Sequence, residues 1–175
     1  MTFSQGSVRE FSLLTFVVAI ALLARDSRAQ SSLTPTTSEK AATVMHARGT
    51  FDVKLSPQPS DDKSETPLGR MILDKTFHGD LEATSHGEML TGGTTVKGSG
   101  VYVAVERLEG KLRGRSGTFL LYHTGVMTQG KPELSIKVVP DSGTGELSGI
   151  SGHLDIQIDQ GKHSYDFEYT LPDAK

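Results

Sequence analysis

The run His153-Leu154-Asp155-Ile156-Gln157-Ile158-Asp159-Gln160-Gly161-Lys162-His163-Ser164-Tyr165-Asp166-Phe167-Glu168-Tyr169-Thr170-Leu171 consists of two alternating stretches broken at Gln160-Gly161. Leu154, Ile156 and Ile158 alternate with polar residues before the break, and His163, Tyr165, Phe167, Tyr169 and Leu171 do so after it. Successive side chains of a strand point to opposite faces, so period two around a short Gly-containing break reads as an antiparallel hairpin with one buried face. The aromatic face of its second strand belongs inside.

Working outward, the same period recurs. Phe51, Val53 and Leu55 alternate with Thr50, Asp52 and Lys54, and Leu134, Ile136 and Val138 alternate with Glu133, Ser135 and Lys137. Between them, Arg70 to Phe77, Leu81 to Ser85, Glu88 to Thr95, Gly100 to Leu108 and Gly117 to Met127 read as further strands, with His78-Gly79-Asp80, His86-Gly87 and Asp141-Ser142-Gly143 as links. Helical periodicity is absent. About eight short strands at regular spacing predict an all-β domain, a closed antiparallel barrel or, less simply, a sandwich. Glycines within and at the ends of the strands permit the bulges and bends a small barrel needs, and closure removes exposed edges.

Ahead of the barrel, the apolar run Phe11 to Leu23 is too short to span a bilayer but suits a signal-peptide core, followed by small residues at Ser27 and Ala29. Residues 1–29 are therefore expected to be a leader, 30–44 a polar tether too poor in apolar residues to order itself, and 45–173 one barrel domain. Export to the periplasm or beyond the cell follows, with no integral membrane span once the leader is removed. The chain has no cysteine, so packing and backbone pairing must hold it without disulfides. A net charge of −3 supplies no basic field for nucleic acid. Homo-oligomerisation stays open.

Several phrases occur together: Phe77-His78-Gly79-Asp80-Leu81-Glu82-Ala83, Gly87-Glu88-Met89-Leu90, Tyr102-Val103-Ala104-Val105-Glu106-Arg107, Val139-Pro140-Asp141-Ser142-Gly143-Thr144-Gly145-Glu146-Leu147 and Gly161-Lys162-His163-Ser164-Tyr165-Asp166-Phe167. In these the chain resembles the bacterial family DUF3224, from about His46 to Leu171. The resemblance implies an eight-stranded barrel similar to allene oxide cyclase and, more loosely, to lipocalins. It supplies no reaction, and no motif of the plant cyclase's catalytic residues aligns with this chain.

Function must then come from what the barrel points inward. On the strand from Gly100, one face carries Tyr102, Ala104 and Glu106 and the other Val101, Val103, Val105 and Arg107; the valine face makes the better core, yet a ligand-holding barrel often turns a few polar groups inward. A Glu106 so placed is expected to have its pKa raised by desolvation and to serve as acid or base. On the next strand, Phe119, Leu121 and His123 alternate with Leu120, Tyr122 and Thr124, and an inward His123 would transfer a proton or orient a ligand oxygen. His163, Tyr165, Phe167 and Tyr169 form either plain core or the wall of a pocket for a flat apolar ligand, with Tyr102 beside it. The six histidines show no ligand spacing such as His-Glu-x-x-His, and no nucleophile elbow or phosphate loop is present, so neither metal nor cofactor is expected. The leading expectation is a barrel that binds a small apolar or aromatic molecule. Beside it stand a cofactor-free isomerase or cyclase using Glu106 and His123, and a filled structural or interaction module.

Overall fold

The structure, a computed structural model, describes residues 43–172. The expected leader and nearly all of the expected tether lie outside the described residues. Eight antiparallel strands close into one barrel in sequence order: β1 (Met45–Pro57), β2 (Leu68–Gly79), β3 (Leu81–Gly93), β4 (Gly100–Leu112), β5 (Arg115–Thr128), β6 (Lys131–Val138), β7 (Ser151–Asp159) and β8 (Lys162–Thr170). The hairpin that opened the reading is β7–β8, turning at Gln160 and Gly161 with φ of 48° and 79°. Two consecutive positive φ angles give a turn whose twist matches that of paired strands.

One expected link is not a turn. β3 runs unbroken through His86-Gly87, because Gly87 is an inward-facing position opposite Glu106 on β4. A Cβ there would stand 2.6 Å from the Glu106 Cβ and 2.7 Å from its Cα. Here glycine keeps the strand and vacates the space its neighbour occupies.

The two ends of the barrel differ. At one end Phe51, Phe77, Leu81, Leu108, Leu112, Phe119, Leu121, Leu154, Phe167 and Tyr169 pack into a continuous core. Phe167 lies between Phe119 and Tyr169, with ring centroids at 5.7 and 5.2 Å. The β6–β7 connection folds over this end and drives Leu147 and Ile150 into the core; both are buried. Its Pro140 to Leu147 segment bends at Asp141 and Gly145, with φ of 60° and 58°, and the Glu146 carboxylate accepts the Ser116 N–H. The Val139 to Leu147 phrase of the family resemblance thus closes this end of the barrel.

At the other end the barrel is open. Leu55, Leu134 and Ile158 lie on inward-facing positions of their strands yet are 47%, 45% and 65% exposed. The wall is weakest between β6 and β7, which register only at Lys137 and His153.

β4 reverses the ordinary apolar-in pattern. Val101, Val103 and Val105 face outward, each about half exposed, while Tyr102, Ala104, Glu106 and Leu108 face in. Composition favours the valine face as core, but register prevails: Glu106 finds inward partners on three other strands, which no property of β4 alone reveals.

Candidate functional site

Between the packed end and the open end lies a buried polar layer. Lys75 on β2, Ser85 on β3, Glu106 on β4 and His123 on β5 all point inward from adjacent strands, and Glu106 is wholly buried. Its Oε1 accepts hydrogen bonds from Lys75 Nζ and His123 Nε2, each at 2.8 Å, and its Oε2 accepts one from Ser85 Oγ at 2.6 Å. The Lys75 ammonium also sits 5.2 and 5.7 Å from the ring centroids of Phe51 and Phe77, within cation–π range. No buried side-chain nitrogen or oxygen among the described residues lacks a partner.

These neighbours overturn the expected sign at Glu106. Burial by itself raises the carboxyl pKa, but the His123 hydrogen bond, the Lys75 and His123 charges and the Lys75 hydrogen bond together exceed it, holding the group down at about 2. An ionised Glu106 is a poor proton acceptor at neutral pH and is instead an anchor. Because a carboxylate only accepts, His123 presents Nε2–H to it.

Above the polar layer stands Tyr102, half-buried, its ring laid over Gly125 on β5; a side chain at Gly125 would overlap that ring. Burial, aided by the Glu106 charge, raises the Tyr102 hydroxyl pKa. Tyr102, Met71, Thr91, Gly125, Met127 and Leu134 line a recess of about 440 Å³ in the open mouth. A second recess, about 430 Å³, lies where β1 runs past its last β8 partner, between Phe51, Val53 and His163. His163 lies 5.0 Å from the Phe51 ring.

The structure therefore separates the candidate residues into two groups. Glu106, His123 and Tyr102 come together at and above the polar layer, with His163 at the neighbouring rim. Tyr165, Phe167 and Tyr169 lie in the packed end, all buried. The Tyr165 hydroxyl is committed to the β2–β3 turn, accepting the Leu81 N–H at 3.0 Å and donating to the His78 carbonyl at 3.2 Å. Lys75 and Ser85 escaped the sequence reading. Their signal was phase: Lys75 is in step with Leu73 and Phe77, and Ser85 with Leu81 and Ala83.

Fold and site define an eight-stranded antiparallel barrel, plugged at one end, open at the other, with a carboxylate-centred polar layer between. The family model described as a protein of unknown function, DUF3224, matches residues 47–169, and the chain belongs to that family. A crystal structure of a DUF3224 protein of unknown function from Shewanella oneidensis MR-1 is similar at 48% identity and a TM-score of 0.71, over 75% of this chain and 100% of that one. No curated protein matches.

Proposed function

We propose that the barrel binds a small apolar or aromatic molecule in its open mouth, seated against Tyr102, Met71 and Leu134, with any polar end of the ligand directed toward the His123–Glu106 layer. The observation that carries this reading is the apolar recess of about 440 Å³ walled by Tyr102, Met71 and Leu134, with the paired polar layer deeper in the barrel on the strand that carries Tyr102. Pockets for small ligands combine such walls with a few fixed polar groups, and several hundred Å³ is their usual scale. Phe167 and Tyr169, expected as ligand contacts, belong instead to the core of the packed end and do not line the recess.

The test is native mass spectrometry of the protein purified gently from its own host, paired with titration of an apolar fluorescent probe, anilinonaphthalene sulfonate. A co-purifying small molecule and probe binding that weakens about tenfold in Leu134→Glu, a charge placed in the apolar wall, support the reading. A bare mass together with no saturable probe binding refutes it and leaves a structural module.

The 2.8 Å contact between Glu106 and His123 favours a second reading, a cofactor-free isomerase in the same mouth. In it His123 moves the proton and Glu106 stabilises the imidazolium, an arrangement in which the carboxylate orients rather than titrates. Conversion of the co-purified molecule by the wild type, lost in His123→Gln with binding retained, distinguishes catalysis from binding alone.

A further inference from the structure

The outer wall of the barrel is not uniform. On the side formed by β1 and β8 the outward positions carry Arg48, Asp52, Lys54, Asp166 and Glu168. On the opposite side, across β3, β4 and β5, they carry Leu90, Val101, Val103, Val105, Tyr122 and Val126, each 37–57% exposed. Register makes these six one patch: Leu90 is opposite Val103, Val101 opposite Val126 and Val105 opposite Tyr122. Between Leu90, Val103, Val105 and Tyr122 the surface dips into an outward recess of about 460 Å³.

The interior does not account for this patch. Glu106 turns alternate residues of β4 inward and so fixes which positions face out, but not that they are valine. Strand propensity is met equally by threonine, which stands at the outward Thr76 and Thr84 and leaves a polar surface. The six side chains expose on the order of 500 Å² of apolar surface, toward the upper end of the largest patch that a monomer ordinarily leaves open. One half of a homodimer supplies the same amount, since such an interface takes about 800 Å² from each partner and about 65% of it is apolar.

The charges around the patch fit a second copy of the same face. On the β2–β3 flank Arg70 and Glu88 are already paired, with the Arg70 Nε and Nη2 2.9 and 3.1 Å from the Glu88 carboxylate oxygens. On the β6 flank Glu133 and Lys137 stand one outward position either side of Ser135, level with Val126 and Tyr122. A two-fold axis crossing the strands along the central row of Leu90, Val103 and Thr124 lays Val103 on its own copy and Val101 on Val105. It also turns Glu133 of each chain to the side of Lys137 of the other, while Arg70, on the axis, is held neutral by Glu88. We propose that β3, β4 and β5 pack face to face with the same strands of a second copy of this chain, an isologous dimer centred on Val103. At one edge Val101 and Val126 also border the mouth, so the interface reaches its rim.

The experiment is sedimentation velocity across a concentration series on the protein purified from an exporting host. A dimer that dissociates in the micromolar range is expected. Val103→Arg, which buries an unpaired charge at the axis, weakens association at least about hundredfold, and Asp155→Lys on β7, across the barrel, leaves it unchanged. Far-UV circular dichroism like that of the wild type shows that the variants fold. Because the chain has no cysteine, Val103→Cys gives it a single thiol, which under mild oxidation links two chains, whereas Asp155→Cys does not. A monomer at every soluble concentration, including one that instead binds neutral phosphatidylcholine vesicles, overturns the proposal. So does a dimer indifferent to Val103→Arg, or one that is crosslinked through Asp155→Cys and not through Val103→Cys.

Discussion

The Glu106 carboxylate and the His123 imidazole lie 2.8 Å apart inside the barrel, and the same Glu106 oxygen accepts the Lys75 ammonium at the same distance. One acceptor thus serves two donors from strands on either side of β4 while Ser85 holds its second oxygen. Removing any member leaves a charged or polar group buried among phenylalanines, so the layer stands or falls as a unit.

Glu106→Gln is expected to destabilise the fold by about 3–5 kcal/mol, because Lys75 is then buried without its counter-charge. The Lys75→Met/Glu106→Gln double variant recovers most of that loss. Chemical denaturation of the three proteins measures both steps.

Stability falls in acid with a share due to Glu106. Its folded pKa of about 2 lies below the 4.5 of a free carboxyl, so between these values the unfolded chain binds the extra proton. The stabilisation is complete above the unfolded pKa and is lost as pH falls through the folded one. It is on the order of 3 kcal/mol. Denaturant midpoints recorded from about pH 6 down to pH 2 should fall more steeply for the wild type than for Glu106→Gln, a difference that cancels the exposed carboxylates common to both.

Gly87→Ala, otherwise a mild change within a strand, is expected to cost about 1–3 kcal/mol by forcing a methyl group against the Glu106 backbone and Cβ. Gly93→Ala, where a Cβ would meet nothing within 4 Å, serves as the control. Thermal melts of the two variants decide it.

Tyr165→Phe is expected to lower stability by about 1–3 kcal/mol, since the buried Leu81 N–H loses its acceptor. Probe binding in the mouth stays as in the wild type. A loss of binding without a loss of stability would instead place Tyr165 among the ligand contacts.

Reading the apolar run Phe11 to Leu23 as the core of a leader predicts a mature chain beginning at Gln30. Intact-mass measurement on protein recovered from an exporting host checks this: a mass from Gln30 supports processing, and a mass from Met1 contradicts it.

Much of the barrel is legible along the chain because its information is local. The phase of Leu154 to Ile158 against His163 to Leu171, with Gln160-Gly161 between them, determines a hairpin without reference to any other strand, and repetition of that phase determines an all-β domain. Where the reading failed, the deciding contact was distant. His86-Gly87 resembles a link because glycine disfavours strands, and only the Glu106 side chain opposite explains a glycine within β3. The valines of β4 resemble core because hydrophobicity is a property of single residues, whereas the choice of face depends on Lys75, Ser85 and His123.

The sequence by itself thus determined the alternating strands and the aromatic face of β8, since each depends on alternation within a few residues, but it broke the single strand β3 in two at His86-Gly87. Tertiary structure alone decided which face of β4 turns inward, that Glu106 is ionised rather than protonated, and that Tyr165 holds a turn. Those outcomes rest on strand register, which joins residues far apart in the chain, and on the desolvation and charge pairing that exist only once the barrel has closed.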